Sequence, residues 1–348
     1  MKKILWKFLS MNSIVKIVTK AMIALSEKLI VKKKRKGGFV FPCAARRKYP
    51  SFQILTYHKV NDDLDHFFGG VPVKVFARQM ETLRSYWNVL PLEELVERLY
   101  QNDVPPHAVA ITFDDGYQDN YTHAFPVLKH YELPATIFLA TGSIEAETPL
   151  WHESVFDAFR ESQADSVVIA AQTYGLRTLP GKQLALRAFL RAVRKCTPQD
   201  RDDLIQQLTV DLGVLDRSPP GAQKLSWGEV ESMSTGSITF GAHTVTHPIL
   251  TRMPFAEAME EIVASKQTIE QHLHAPVRLF AYPNGNQEDF SEPLKQGLRE
   301  AGFLCAVTTL WGTNDRQTDP FALRRMGIWD TDQRLAALRL GWYKLLSS

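Results

Sequence analysis

The chain has 348 residues, 45% hydrophobic and 23% charged, the proportions of an ordinary soluble globular protein with room for a sizeable core. Its net charge of +3 divides unevenly: residues 1–50 hold fourteen Lys or Arg and one acid, whereas the remainder holds 27 bases and 37 acids. The basic balance therefore belongs to the N-terminus alone and gives no support to a nucleic-acid-binding body. Three widely spaced cysteines, Cys43, Cys196 and Cys305, exclude a disulfide framework or zinc ribbon and favour a reducing compartment.

Ile4, Phe8, Met11, Val15, Val18, Met22, Leu25 and Leu29 recur at spacings of four and three, which is one face of a helix. Lys7, Lys16, Lys20, Glu27 and Lys28 interrupt the run too often for a spanning helix. Neither the unbroken apolar stretch nor the small-residue cleavage site of a signal peptide is clear. With Lys32-Lys33-Lys34-Arg35-Lys36 directly behind it, the segment 4–36 reads as an amphipathic helix in peripheral contact with an anionic membrane. The plain alternatives are a helix packed on the body, a poorly ordered tail or a misassigned start. This expectation places the protein in the cytoplasm or on the cytoplasmic face of the membrane, with an exported or periplasmic location left open.

From residue 51 onward, strands and helices alternate. Strands are expected at Phe52–Tyr57, Ala108–Phe113, Ala135–Ala140, Ser237–Ala242, Val277–Tyr282 and Phe303–Thr309. Helices are expected near Val75–Trp87, Leu92–Gln101, Asn120–Tyr131, Trp227–Met233 and Phe255–Leu273, with one more ending at Ala301. Residues 145–225 break the rhythm with two or three helical segments, clearest at Gln183–Arg194 and Pro198–Leu212, and end in Pro219-Pro220-Gly221. The alternation implies parallel pairing, as a barrel or an open doubly wound sheet. The expected organisation is a basic segment 1–50, one α/β domain over 51–330 with a helical insertion at 145–225, and a C-terminal helix over 331–348.

Two short motifs carry chemistry. Asp114-Asp115-Gly116 sets adjacent carboxylates at the end of an apolar strand, where neighbours point to opposite faces unless the glycine bends the chain. Two uncompensated carboxylates repel, and a cation removes the conflict by taking one as ligand. His243-Thr244-Val245-Thr246-His247 places imidazoles at i and i+4, which share a face if the segment makes one helical turn. Each motif alone has a bland reading, as a turn sequence or a chance pair. Together, two His and one carboxylate leave coordination positions open, the pattern of a catalytic metal site. Tyr282-Pro283-Asn284-Gly285 ends a further strand in a turn that can aim a backbone N–H at an oxyanion.

Thr112–Gly116, His243–His247 and Phe280–Gly285, in that order and spacing, resemble the first three motifs of the polysaccharide deacetylases, the NodB homology group of carbohydrate esterases. The resemblance covers roughly residues 51–330 around the insertion. It implies a distorted (β/α) barrel of about seven strands, a general base at Asp114, and one divalent cation on Asp115, His243 and His247. The cation is zinc by default, with cobalt or nickel accepted by the same ligands. The backbone N–H near Asn284 would join the oxyanion hole.

The chain departs from the family pattern at two places. The arginine that many members carry just before the third-motif proline is Ala281 here, and the C-terminal Leu-x-His is replaced by Leu323-Arg324-Arg325-Met326-Gly327-Ile328. Leu55-Thr56-Tyr57-His58 instead matches a branch resembling exopolysaccharide poly-N-acetylglucosamine deacetylases, with a Tyr-His pair on the first strand. On that reading His58 supplies the acid and Arg325 orients Asp114, each weighed against a merely structural role. His152 reads as structural or substrate-facing rather than as a ligand.

The implied activity is hydrolysis of N-acetyl groups from an exopolysaccharide, cell-envelope or lipid-linked glycan, releasing acetate. The rivals are a related hydrolase of non-sugar amides or O-acetyl esters, an inactive glycan-binding module, and a purely membrane- or partner-binding role for the N-terminal helix, which would leave the motif residues unexplained.

Overall fold

The computed structural model describes residues 50–327 except 64, 147–148 and 215–222. The expected amphipathic segment 4–36, Pro219-Pro220-Gly221 and the expected C-terminal helix 331–348 lie outside the described residues. In chain order come β1 (Ser51–Tyr57), the helix Val73–Tyr86, β2 (Asn88–Val89), the helix Leu92–Tyr100, β3 (Ala108–Phe113), the helix Phe125–His130 and β4 (Ala135–Leu139). The insertion holds the helix Trp151–Glu161, a hairpin of β5 (Ser166–Ile169) and β6 (Gln172–Gly175), and the helices Leu179–Val193 and Pro198–Asp211. The helix Trp227–Ser234, β7 (Ile238–Ala242), the helix Phe255–Leu273 and β8 (Leu279–Ala281) follow. The helix Glu292–Glu300, β9 (Cys305–Trp311), β10 (Asn314–Asp315) and β11 (Leu323–Gly327) complete the series.

Seven strands close a barrel in the order β1-β3-β4-β7-β8-β9-β11, and every neighbouring pair is parallel. Closure is decided by β1, which pairs with β3 on one side and β11 on the other. The two short strands are appendages, β2 parallel to β3 and β10 antiparallel to β1. The barrel is distorted: β8 has only three residues, and the register of β9 against β11 shifts between Leu323 and Arg325.

Strand alternation sorts the side chains. Phe52, Ile54, Ala108, Ala110, Leu279, Ala281, Cys305, Val307 and Leu323 share one core with Leu92, Leu95, Val96 and Leu99 of the helix Leu92–Tyr100. The intervening Leu55, Tyr57, Val109, Ile111, Phe113 and Ile137 belong to the core against the surrounding helices. Continued two residues at a time, the first parity reaches His58 after β1, Asp114 after β3 and Arg325 on β11. Strand ends in α/β folds gather functional groups for this reason.

The insertion has a core of its own, built from Trp151, Val155, Phe159, Leu186, Phe189, Leu208 and neighbours, with Phe67 and Phe68 from the loop after β1 packed against it. The sequence predicts a helical insertion, but a hairpin interrupts its helices, with β5 and β6 paired antiparallel across Ala170-Ala171. Both turn residues are left-handed, at φ +48° and +63°. Alanine does that work where glycine or asparagine usually would, so the turn signal is missing from the sequence. Among the described residues, no helix is long and apolar enough to cross a membrane.

Candidate active site

The chain leaves β3 at Asp114 and turns sharply. The bend begins at Asp115 (φ +70°), one residue before the glycine expected to make it, and continues through Gly116 (φ +63°). A Cβ on Gly116 would lie 2.9 Å from Leu139 Cδ2, so a side chain there would have to displace Leu139 as well as adopt a left-handed backbone. The two carboxylates consequently enter one cleft with different neighbours.

Asp115 faces His243 and His247. Its Oδ1 lies 3.5 Å from each Nε2, and the ligand atoms of the trio all lie within 4.8 Å of one another. The histidines do not share a helical turn, as the i, i+4 spacing had suggested. They converge through a loop in which Thr244 (φ +66°) and His247 (φ +58°) are left-handed. Glu261 holds that loop, its Oε2 accepting from the Val245 and Thr246 N–H groups at 2.8 and 2.9 Å, and its Oε1 from Thr246 Oγ1 at 2.8 Å. His243 Nδ1 donates to the Ala281 carbonyl at 2.7 Å, which fixes the tautomer and leaves the Nε2 lone pair toward Asp115.

A divalent cation fits this group. Asp115 Oδ1 is buried without a hydrogen-bond partner, and 3.5 Å is too long for a good one. Two ligand atoms on one tetrahedral cation at about 2.1 Å lie roughly 3.4 Å apart. Burial pushes the His247 imidazole well below its usual range, toward the neutral form that ligation needs. For Asp115, burial acts upward but the surrounding imidazoles outweigh it, and its carboxyl falls well below the usual range.

Asp114 turns away from the trio toward Arg325. Nη1 reaches Oδ1 and Nη2 reaches Oδ2, both at 2.7 Å, and both side chains are buried. Arg325 Nε donates to the Thr308 carbonyl at 2.8 Å, so the guanidinium is braced on β9. His58 Nε2 stands 3.9 Å from Asp114 Oδ2 with 29% of its side chain exposed. Asn284 is left-handed (φ +60°), and its Nδ2 is buried without a partner.

The cleft encloses about 210 Å³, and His58, Asp114, Asp115, His243, His247 and Asn284 all line it. Arg325 sits behind Asp114 rather than in the wall. His152, set aside as a ligand from sequence, also lines the cleft, with Nε2 3.8 Å from Asp115 Oδ2. Burial foremost brings its imidazole down to about 4.

Several contributors carry no sequence signal. Phe68 packs edge-on to His58 and His152 and stacks on Phe156 at 5.0 Å. Trp151 Nε1 donates to the His247 carbonyl at 2.9 Å, tying the insertion to the His243–His247 loop. Behind Asp115, Lys224 pairs with Glu153 at 2.9 Å, both buried. Only the neighbours of His152 in Leu150-Trp151-His152-Glu153 could have drawn attention to that side.

A family model described as polysaccharide deacetylase matches residues 101–306, more than half of the chain. The chain belongs to the polysaccharide deacetylase family. This deacetylase is 22% identical over 304 residues to the Bacillus subtilis protein YxkH, covering 87% of this chain and 80% of that one. It is 35% identical over 104 residues to the poly-beta-1,6-N-acetyl-D-glucosamine N-deacetylase of Staphylococcus epidermidis, covering 26% of this chain and 36% of that enzyme. Among solved structures, the Streptococcus pyogenes deacetylase PplD superposes with a TM-score of 0.58 at 19% identity, over 84% of this chain and 99% of that one. IcaB from Ammonifex degensii gives 0.57 at 19% identity, over 85% and 97%. The distorted barrel and the enzyme class implied by the sequence motifs both stand.

Proposed function

We propose that this deacetylase hydrolyses N-acetyl groups on an N-acetylglucosamine-type glycan, with one divalent cation on Asp115, His243 and His247. The observation that carries the reading is the meeting, in one cleft, of an unsatisfied Asp–His–His trio with a second carboxylate clamped by arginine. The Staphylococcus relative is named for a polymer of N-acetylglucosamine, which supports that class of substrate. Zinc suits the nitrogen and oxygen ligands, and cobalt or nickel would be accepted. When bound, the cation supplies Lewis acidity to the acetamide carbonyl and to water.

The chain's own residues do the rest. Asp114 keeps lone pairs beyond the two that Arg325 engages, and one of these takes the proton of the attacking water. Asn284 offers its backbone N–H and its unpartnered Nδ2 to the developing oxyanion. His58, on the exposed side of Asp114, delivers a proton to the leaving nitrogen, because an amide nitrogen does not depart as an anion. The products are acetate and a free amino sugar.

The test is acetate release from N-acetylglucosamine oligomers by zinc-loaded protein, with Asp114→Asn alongside. Release by the wild type and none by the variant, with metal bound in both, is the expected result. Equal release by both proteins, or a wild type that binds no metal, overturns the reading.

A further inference from the structure

One cation in the cleft has no task in that reaction. Arg194 directly follows the insertion helix Leu179–Val193 and lines the cleft beside Leu190, Trp151 and His247. Its backbone is fixed on two sides. Val193 is buried in the insertion core, and the Arg194 carbonyl accepts from Arg252 Nε at 3.1 Å, on the short helical turn after His247. The guanidinium is different. Its Nε is shut off from solvent without a hydrogen-bond partner, and among the described residues no carboxylate pairs with it.

Other arginines on the insertion and around the barrel do have carboxylate partners: Arg160 pairs with Asp65 and Asp157, Arg201 with Asp202, Arg252 with Glu288, and Arg325 with Asp114. A donor buried without an acceptor is costly, and an acceptor brought by a bound molecule would relieve that cost. The cleft is also short of negative charge. Arg325 cancels Asp114, a divalent cation would more than cancel Asp115, and Arg194 then leaves the cleft positive.

We propose that Arg194 binds an oxyanion substituent, a phosphate or a carboxylate, carried by the substrate next to its N-acetyl sugar. The preferred substrate is then an acidic glycan or a glycosyl phosphate rather than a neutral polymer. A guanidinium suits this role because its planar fork matches both groups with paired hydrogen bonds. The inference rests on the deacetylase reading for its substrate but on Arg194 alone for its charge preference.

The experiment compares kcat/KM for acetate release by the zinc-loaded full chain on three substrates. These are neutral N-acetylglucosamine oligomers, N-acetylglucosamine 1-phosphate, and an oligosaccharide of N-acetylglucosamine and glucuronate. The wild type is expected to prefer at least one acidic substrate by about 10–100-fold, and the arm that wins identifies phosphate or carboxylate. Arg194→Gln should collapse the acidic-to-neutral ratio toward one, and Arg194→Lys should restore part of it. No acidic preference in the wild type, or an equal fall on all three substrates in Arg194→Gln, overturns the proposal.

A binding measurement separates this from failure of the deacetylase reading. Calorimetric affinities for N-acetylglucosamine 1-phosphate and for the glucuronate oligosaccharide are compared between zinc-loaded Asp114→Asn and the same protein with Arg194→Gln added. Should the wild type release acetate from none of the substrates, the deacetylase reading fails and this comparison alone judges Arg194. Affinity for either ligand weakened about 10–100-fold supports the oxyanion site; unchanged affinity for both overturns it.

Discussion

Arg325 on β11 grips Asp114, the residue after β3, through two parallel hydrogen bonds of 2.7 Å that bridge β1, the strand paired with both. Burial acts to raise the Asp114 carboxyl, and the Arg325 charge outweighs it, so the group stays below its usual range and ionised. Removing the arginine would leave a buried carboxylate uncompensated. Arg325→Met is expected to destabilise the fold by about 3–5 kcal/mol. Arg325→Lys should keep the charge but lose the fork, cutting kcat about 10²–10⁴-fold as the proposed base goes out of position. Urea unfolding and acetate release measure the two effects. A lysine variant with wild-type kcat would remove Arg325 from the positioning role.

The metal trio gives a second expectation. His243→Ala and His247→Ala should each lose bound zinc, read by metal analysis of the purified protein, with acetate release lost in parallel. Chelation of the wild type should stop turnover reversibly and lower the melting temperature. Zinc present at about 100 times its dissociation constant contributes roughly 2.7 kcal/mol to folding. A melting temperature indifferent to zinc would mean that the trio does not hold the ion.

The sequence disclosed the trio and Asp114 because those residues sit in short contiguous motifs at strand ends. It disclosed six of the seven barrel strands for a related reason, the apolar runs that mark buried parallel strands. The seventh, β11, was invisible. Leu323-Arg324-Arg325-Met326-Gly327 has two adjacent arginines where an apolar run would mark a strand, and it becomes one because Arg325 is neutralised inside the barrel by a residue 211 positions away. The loop path of His243–His247 was hidden likewise, since its left-handed residues depend on Glu261. Phe68, Trp151 and Arg194 reach the cleft through insertion packing, which no local pattern encodes.

His58 separates two roles at one position. As proton donor to the leaving nitrogen it should matter to chemistry and not to metal binding. His58→Ala is expected to lower kcat about 10²–10⁴-fold with metal content unchanged. Substrates with better leaving groups, such as aryl acetates, should lose less, because their departure needs no protonation. A uniform loss across leaving groups would assign His58 to binding or structure instead.

The Glu153–Lys224 pair behind Asp115 is buried on both sides, and Lys224 Nζ also lies 3.8 Å over the Tyr117 ring and 3.4 Å from the Asp115 carbonyl. Lys224→Met strands the Glu153 charge and should cost about 3–5 kcal/mol in chemical denaturation. Adding Glu153→Gln removes that charge while preserving an acceptor for the Leu150 N–H, which Glu153 holds at 2.8 Å. The double variant should therefore recover most of the loss. A double variant no better than Lys224→Met would show that the lysine stabilises through packing on Tyr117 and not through the ion pair.

The loop that carries Phe68 is latched by Asp65, whose Oδ2 meets Arg160 at 2.6 Å and whose Oδ1 accepts from the Phe67 N–H at 2.8 Å. Burial raises this carboxyl, but the Phe67 N–H and the Arg160 charge outweigh it and hold it below the usual range. A depressed native value means that the latch is fully present above the unfolded value of about 3.9 and is lost as pH falls through the native one. Asp157 shares Arg160 yet shifts upward, because burial prevails there, so its protonation on acidification favours the fold and partly offsets the loss. Below about pH 4, amide exchange in residues 65–70 should accelerate before that of β3, whose side chains are all buried. Asp65→Asn should show fast exchange in the same loop already at neutral pH, with little further response to acid. Loop and strand losing protection together would instead mean that the latch opens only with the whole barrel.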